Sequence, residues 1–375
     1  MSCFLYSAAV RAVDILSALS ACPTAPLHEE YVARRILALC REFGLAVTSD
    51  AYGNLYVRPP RRSSSAGGVP LALVAHMDHP ALEVVSTDPP VGRLLGGVNA
   101  KCFERPIPVR LIGRDRETRG RIVSRREEED GVMLALEVDS PIPPGAFGVF
   151  DVEAFREDGE TLHGPAMDDL AGCAAILAAL SDCAARGMDG DVVGVFTRAE
   201  EVGLTGATLV AREGLLPKST LVVSLEASRA LPGAEQGGGP VIRVGDRTAA
   251  FHPEGEALLR RAAAQLAERT PAVPVQRQLM AGGTCEATAF ATFGYVATGV
   301  ALPLGNYHNV SPEMRIEAEY IHRQDLLGAV ELLVATVDAA GSEAGPDPVR
   351  TRLTTRADAM AARLRESREG WRIDG

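Results

Sequence analysis

Aromatic residues are scarce in this 375-residue chain, at 5% with a single Trp, so Ala, Val and Leu must fill most of any core. Basic charge is scarce as well. Lysine occurs only at Lys101 and Lys218, and 49 acidic residues outnumber 38 basic ones for a net charge of −11. Without a basic footprint, nucleic acid is not an expected partner. No apolar run reaches the ~18 residues of a membrane span, so no membrane partner is expected either. The N-terminus lacks the basic start of a secretory leader, and Arg11 and Asp14 interrupt its apolar stretch as they would on an amphipathic helix. The seven cysteines, at 3, 22, 40, 102, 173, 183 and 285, form no Cys-x-x-Cys pair. They read as reduced, mostly buried thiols of a soluble cytoplasmic protein. What remains, 46% hydrophobic and 23% charged, is ordinary globular composition and enough for about two to three domains.

Apolar spacing predicts helices over 5–20 and 28–43, with Gly44 stopping the second. A strand is expected at 53–57 and a polar surface turn at 59–68. Residues 71–76 (LALVAH) read as a buried parallel strand. From 82 to 160, short β-branched runs alternate with Gly, Pro and charge clusters, which predicts a small β-barrel or β-sandwich. Strand–helix alternation then resumes, with helices over 169–186, 256–269 and 323–339 and strands at 191–197, 221–226 and 295–302. Residues 82–160 are therefore an expected insert in an α/β domain made of 1–81 and 161–341. The alternation implies a mostly parallel central sheet flanked by helices on both faces. Residues 342–375 are an Arg-rich tail, expected as a solvated or loosely docked helix, with an oligomer contact as the alternative.

Metal-capable side chains fall at the carboxyl ends of these strands, where ligands bind in open parallel sheets. His76 and Asp78 end 71–76, and Asp168 and Asp169 open the helix after the insert. Glu200 and Glu201 follow 191–197, Glu226 ends 221–226, and His308 lies beyond 295–302. Singly, a strand-end His is an ordinary structural residue, and an Asp pair at a helix start is an ordinary cap. Jointly, two imidazoles and several carboxylates make an oxygen and nitrogen donor set suited to two divalent ions such as zinc, cobalt or manganese.

The phrases AHMDHP (75–80), GPAMDDLAG (164–172), AEEVGLTGA (199–207), LEAS (225–228), GGTCEA (282–287) and YHNV (307–310) resemble the co-catalytic di-metal aminopeptidases, which include the glutamyl, deblocking and tetrahedral enzymes. The resemblance runs from about residue 5 to 340 and includes a β-rich insert between HMD and MDD. Only 55 residues separate Glu226 from Gly282, too few for the extra domain that the related carboxypeptidases and deacylases place there.

The resemblance implies that His76, Asp168 and Glu226 bind one ion, and that Asp168, Glu201 and His308 bind the second, with Asp168 bridging. It implies Asp78 behind the His76 imidazole and Glu200 as general base toward a metal-bridging water. Gly283, Thr284, Cys285 and His79 would line the substrate pocket, with His163 a further candidate, while His28, His252 and His322 are expected at the surface or in packing. Relatives assemble through such an insert, so a homo-oligomer is expected. Two positions depart from the pattern: Glu226 and Cys285 stand where these aminopeptidases have Asp. Those departures keep a second reading open, an N-acyl-amino-acid deacylase or carboxypeptidase-type amidohydrolase, so the substrate is a small peptide or an N-acyl amino acid. A third reading is a catalytically idle metal-binding assembly protein.

Overall fold

Apolar runs become strands where both faces are covered, and periodic apolar stripes become helices where one is. A computed structural model describes residues 8–60, 68–188, 190–342 and 348–368. Helices α1 (Ala8–Ser20) and α2 (Glu30–Phe43) lead into the hairpin β1 (Ala46–Ser49) and β2 (Leu55–Arg58), then β3 (Leu71–His76). Helix α2 ends at Gly44, whose φ of 68° is a left-handed conformation that glycine enters without strain.

Six strands follow: β4 (Ala81–Thr87), β5 (Pro90–Leu95), β6 (Ile107–Ile112), β7 (Glu117–Glu128), β8 (Gly131–Val138) and β9 (Phe147–Phe150). They close into a barrel in the order β4-β5-β8-β7-β6-β9, filled by Leu82, Val109, Leu111, Ile122, Leu134 and Leu136. Of the two expected forms of the insert, the chain adopts the barrel. Near the expected end of the insert, β10 (Arg156–Asp158) belongs to the large sheet, where it pairs with β11 (Thr161–Gly164).

The second half runs α3 (Met167–Arg186), β12 (Val192–Thr197), α4 (Thr205–Arg212), β13 (Leu221–Arg229), β14 (Val241–Asp246), α5 (Pro253–Ala267), β15 (Gln276–Met280), α6 (Glu286–Thr292), β16 (Val296–Gly305), β17 (Glu319–His322) and α7 (Arg323–Gly341). Eleven strands form the large sheet, whose main path is β1-β2-β12-β3-β13-β16-β17-β11-β10, with β14 on β16 and β15 on β14.

The expected mostly parallel sheet is corrected to a mixed one. Strands β12, β3, β13 and β16 are mutually parallel, as are β14 and β15. All other pairings are antiparallel. Helical crossovers make the central strands parallel, whereas tight returns such as β1–β2 and β10–β11 force the flanks to run antiparallel. An apolar run reports that both faces are covered and carries no information on direction.

Helix α3 lies under the sheet, its small residues Ala171, Ala174, Ala175 and Ala178 fully buried. From Ser342 the chain forms a separate unit, the helix α8 (Pro348–Arg368), on which Leu353, Met360 and Leu364 are exposed. Residues 61–67 of the expected turn and 343–347 of the expected linker lie outside the described residues. No described helix is long and apolar enough to cross a membrane. The six described cysteines, Cys22, Cys40, Cys102, Cys173, Cys183 and Cys285, are free thiols.

Candidate metal centre and active site

The parallel core brings the predicted side chains to one edge of the sheet. Register places Thr197, the last residue of β12, beside His76, the last of β3, so Glu200 and Glu201 emerge next to the histidine. Glu226 lies on β13, which also pairs with β3. His308 follows β16, the next strand. Asp168 enters from α3, where its non-helical backbone (φ −86°, ψ 103°) turns it out of the helix.

Three groups of side chains each offer ligand atoms lying within 4.8 Å of one another: His76, Asp168 and Glu226; Asp168, Glu201 and His308; and His76, Glu200 and Glu201. His76 Nε2 stands 3.4 Å from Asp168 Oδ1. His308 Nε2 lies 3.8 Å from Asp168 Oδ2 and 3.4 Å from Glu201 Oε2.

Both imidazoles are held from behind by carbonyl oxygens, which only accept. His76 Nδ1–H donates to the Asp78 carbonyl at 3.1 Å, and His308 Nδ1–H donates to the Gly97 carbonyl at the end of the barrel strand β5. Each ring therefore turns its Nε2 toward the cluster. The loop after His308 is seated on the barrel core through Val310, Met314 and Ile316, so the insert helps to place a residue of the site.

The Asp78 carboxylate stands 3.6 Å from His76 Nδ1. Its oxygens accept the backbone N–H groups of Glu200 and Glu201, both at 3.0 Å. Asp78 thus orients the Glu pair as well as backing the histidine.

Crowding shows in the titration of these groups. Burial drives the Glu200 carboxyl up to about 8; Asp78, Glu286 and Asp168 add to the rise, and His76 opposes it. Glu201 and Glu226 are also pushed well above the usual carboxylate range, by burial and then by neighbouring carboxylates. Burial favours a neutral His76, but Glu200, Asp168 and Asp78 outweigh it and raise the group. Burial lowers His308 to about 4.

Four carboxylates packed this closely repel unless positive charge sits among them. The buried atoms His76 Nε2, Asp168 Oδ1, Glu201 Oε1 and Glu226 Oε2 have no hydrogen-bond partner. Unpartnered buried nitrogen and oxygen atoms facing one space are the donor set that divalent ions require, and these residues fit two such ions.

Sequence reasoning missed the supports supplied by Glu319, Glu286 and Arg243, and the backbone contacts of Asp169. Glu319 on β17 is fully buried and accepts the N–H of Asp168 at 3.0 Å and of His308 at 2.8 Å, tying the segments that carry these two residues together. Asp169 accepts the N–H groups of Gly172 (3.2 Å) and Ala227 (3.1 Å) beside the cluster. Glu286, buried at the start of α6, accepts the Thr197 hydroxyl, and burial raises it to about 7. Arg243 on β14 is the largest fully buried side chain and reaches Ser228 Oγ at 3.2 Å. All four precede or follow runs that look structural, and only the pairing of distant strands reveals their contacts.

The pocket candidates separate. Gly283 and Thr284 are half-buried, and a Cβ built on Gly283 would lie 3.8 Å from the Tyr307 hydroxyl, beside His308. Cys285 is fully buried, its N–H donating to Asp246. His79 is buried between the Asp168 carbonyl (2.7 Å) and Asn309 Oδ1 (2.9 Å). His163 stands outside the cluster against Tyr320, their ring centroids 5.4 Å apart. His28 stacks on Phe147, and His252 caps α5.

An oxygen and nitrogen cluster at strand ends, with a paired-Glu motif beside it, is the kind of centre with which hydrolases hold co-catalytic ions. A sequence profile described as M42 glutamyl aminopeptidase matches residues 133–332, more than half of the chain, and the chain belongs to that family. A protein of Acetivibrio thermocellus provisionally named an aminopeptidase is 30% identical over 198 residues, covering 50% of this chain and 56% of that protein. The chain thus spans just over half the length of this curated relative. Among solved structures, the Pyrococcus horikoshii TET1 peptidase, which can assemble into a tetrahedron or a large octahedral shell, aligns with a TM-score of 0.72 at 22% identity. That alignment covers 87% of this chain and 99% of that one. An aminopeptidase from the archaeon Desulfurococcus kamchatkensis gives 0.70 at 24% identity, covering 90% and 96%. These two show a shared fold.

Proposed function

We propose that this protein is a di-metal aminopeptidase that releases the N-terminal residue of short peptides. The observation that carries the reading is the Glu200–Glu201 pair, held by Asp78 beside two histidines whose Nε2 atoms both face Asp168. His76, Asp168 and Glu226 would hold one ion, and Asp168, Glu201 and His308 the other, with Asp168 shared. Bound there, divalent ions, zinc foremost with cobalt or manganese as substitutes, would supply Lewis acidity and ease the ionisation of water.

Glu200 is the base in this reading, because the other two trios already use both histidines. It takes the proton of the attacking water and passes it to the departing amine. Its N–H bond to Asp78 Oδ1 holds its backbone in place through that transfer. The half-buried Gly283 and Thr284 would line the substrate's approach. The resemblance in fold to the TET1 peptidase, which assembles into shells, supports a homo-oligomer.

The deacylase reading is favoured by Glu226 and by the buried Cys285, an uncharged side chain where the resemblance would put an Asp. Hydrolysis of free-amine dipeptides and their N-acetylated counterparts by zinc- or cobalt-loaded protein separates the two. The expected result is cleavage of the free-amine set, lowered about 10²- to 10⁴-fold by Glu200→Gln with KM little changed. Cleavage of the acetylated set alone would make the protein a deacylase, and assembly without cleavage would make it a scaffold.

A further inference from the structure

Beside His308 opens a cavity of about 450 Å³, lined among others by Asn99, Arg229, Asn306, Tyr307, His308 and Tyr320. No acidic residue lines it. Its one guanidinium belongs to Arg229, the exposed last residue of β13, three positions beyond Glu226. Among the described residues Arg229 makes no ion pair; its guanidinium carbon lies 5.4 Å from the centroid of the Tyr307 ring. That ring in turn stacks on His308, with centroids 3.7 Å apart and planes at 23°. The two separations, 5.4 and 3.7 Å, bound the guanidinium to within about 9 Å of the His308 ring.

We propose that Arg229 is a specificity-determining residue that binds the C-terminal carboxylate of a short substrate, so that the cavity selects molecules ending one or two residues beyond the scissile bond. The inference rests on amide hydrolysis at the adjacent cluster, and it holds for a dipeptide and for an N-acyl amino acid alike. Chain geometry sets the length: each residue extends at most ~3.3–3.6 Å, and a charge-assisted hydrogen bond adds about 2.8 Å. A terminal carboxylate one or two residues past a carbonyl held near His308 is therefore within reach of the guanidinium. Chemistry sets the group, because the planar fork of Arg meets a carboxylate through two parallel bonds, whereas an amide offers one oxygen and no charge. Arg229 lines the cavity, is exposed, and carries its guanidinium over the Tyr307 ring.

The test measures binding and hydrolysis of Leu-Leu, Leu-Leu-amide, N-acetyl-leucine, N-acetyl-leucine amide and Glu-Leu-amide by the full-length metal-loaded protein. It compares the native chain with Arg229→Met and Arg229→Lys, whose folding is checked by thermal unfolding. Capping the carboxylate as an amide is expected to raise KM, and the dissociation constant read by calorimetry, about 10- to 100-fold in the native protein, with kcat changing far less. Arg229→Met is expected to abolish that difference, and Arg229→Lys to restore part of it.

Equal use of free and capped substrates by the native protein would overturn the proposal. So would an Arg229→Met defect of the same size on both, which would mark a structural role through Tyr307. A defect confined to Glu-Leu-amide would also overturn it, because the carboxylate recognised would then be a side chain. If no substrate is cleaved, the hydrolase reading fails, and calorimetry with the free and capped pairs still decides the role of Arg229.

Discussion

Replacing Glu319 by alanine removes the shared acceptor of two buried backbone N–H groups, those of Asp168 and His308, held at 3.0 and 2.8 Å. Each donor left without a partner costs about 1–3 kcal/mol, and truncating a fully buried side chain adds a cavity. The expected loss is about 3–5 kcal/mol, a large share of the stability of an ordinary domain. The damage is local in origin, since the two freed segments carry Asp168 and His308, and supports of this kind are worth about 10- to 100-fold in metal affinity. Glu319→Gln keeps one oxygen for one N–H and turns its NH₂ toward the other, so about half the loss is expected. Urea unfolding of metal-free protein reads the stability, and cobalt titration followed by visible absorption reads the affinity. If Glu319→Ala unfolds within about 0.5 kcal/mol of the native protein and binds cobalt as tightly, the clamp has no energetic role and the reasoning fails.

Two further outcomes follow from buried carboxylates. Burial holds Glu286 protonated up to about pH 7, against 4.5 for an ordinary glutamate. Its contribution to stability is therefore fully present below pH 4.5 and lost as pH rises through 7. Glu286→Gln keeps an oxygen for Thr197 and cannot ionise, so the metal-free variant should gain up to about 3 kcal/mol at pH 8 and converge with the native protein toward pH 4.5. A difference that stays constant with pH would refute this. At Gly172, an added Cβ would lie 2.3 Å from the Asp169 carboxylate. Gly172→Ala should thus displace the acceptor of the Ala227 N–H and cost about 2–4 kcal/mol, and a change in unfolding midpoint too small to detect would show that Asp169 can move freely.

The candidate cluster was legible because its chemistry is local. An apolar run that ends in His or Glu places that residue at a strand end, and a parallel sheet gathers strand ends. LALVAH and LVVSLE each carried that message without a partner in view. The barrel was legible from its texture, though its end was not: Arg156–Asp158 falls within the expected insert, and only its pairing with Thr161–Gly164 assigns it to the large sheet. The mixed character of that sheet was illegible for the same reason. Strands β14, β15 and β17 are short and carry Arg, Gln or Glu among their apolar residues, so no apolar run announced them.

What the sequence determined by itself is the identity and order of the chemical groups: two imidazoles and four carboxylates at successive strand and helix ends, together with the glycines and small residues that let α3 lie close to the sheet. What only the tertiary structure decided is which of them meet. Glu319 joins Asp168 to His308 across 151 and 11 residues, Gly97 of the insert aligns the His308 ring across 211, and Arg229 lies over the Tyr307 ring that stacks on His308. Periodicity and spacing act over a few residues, whereas these contacts depend on the order and register of strands that folding alone brings side by side.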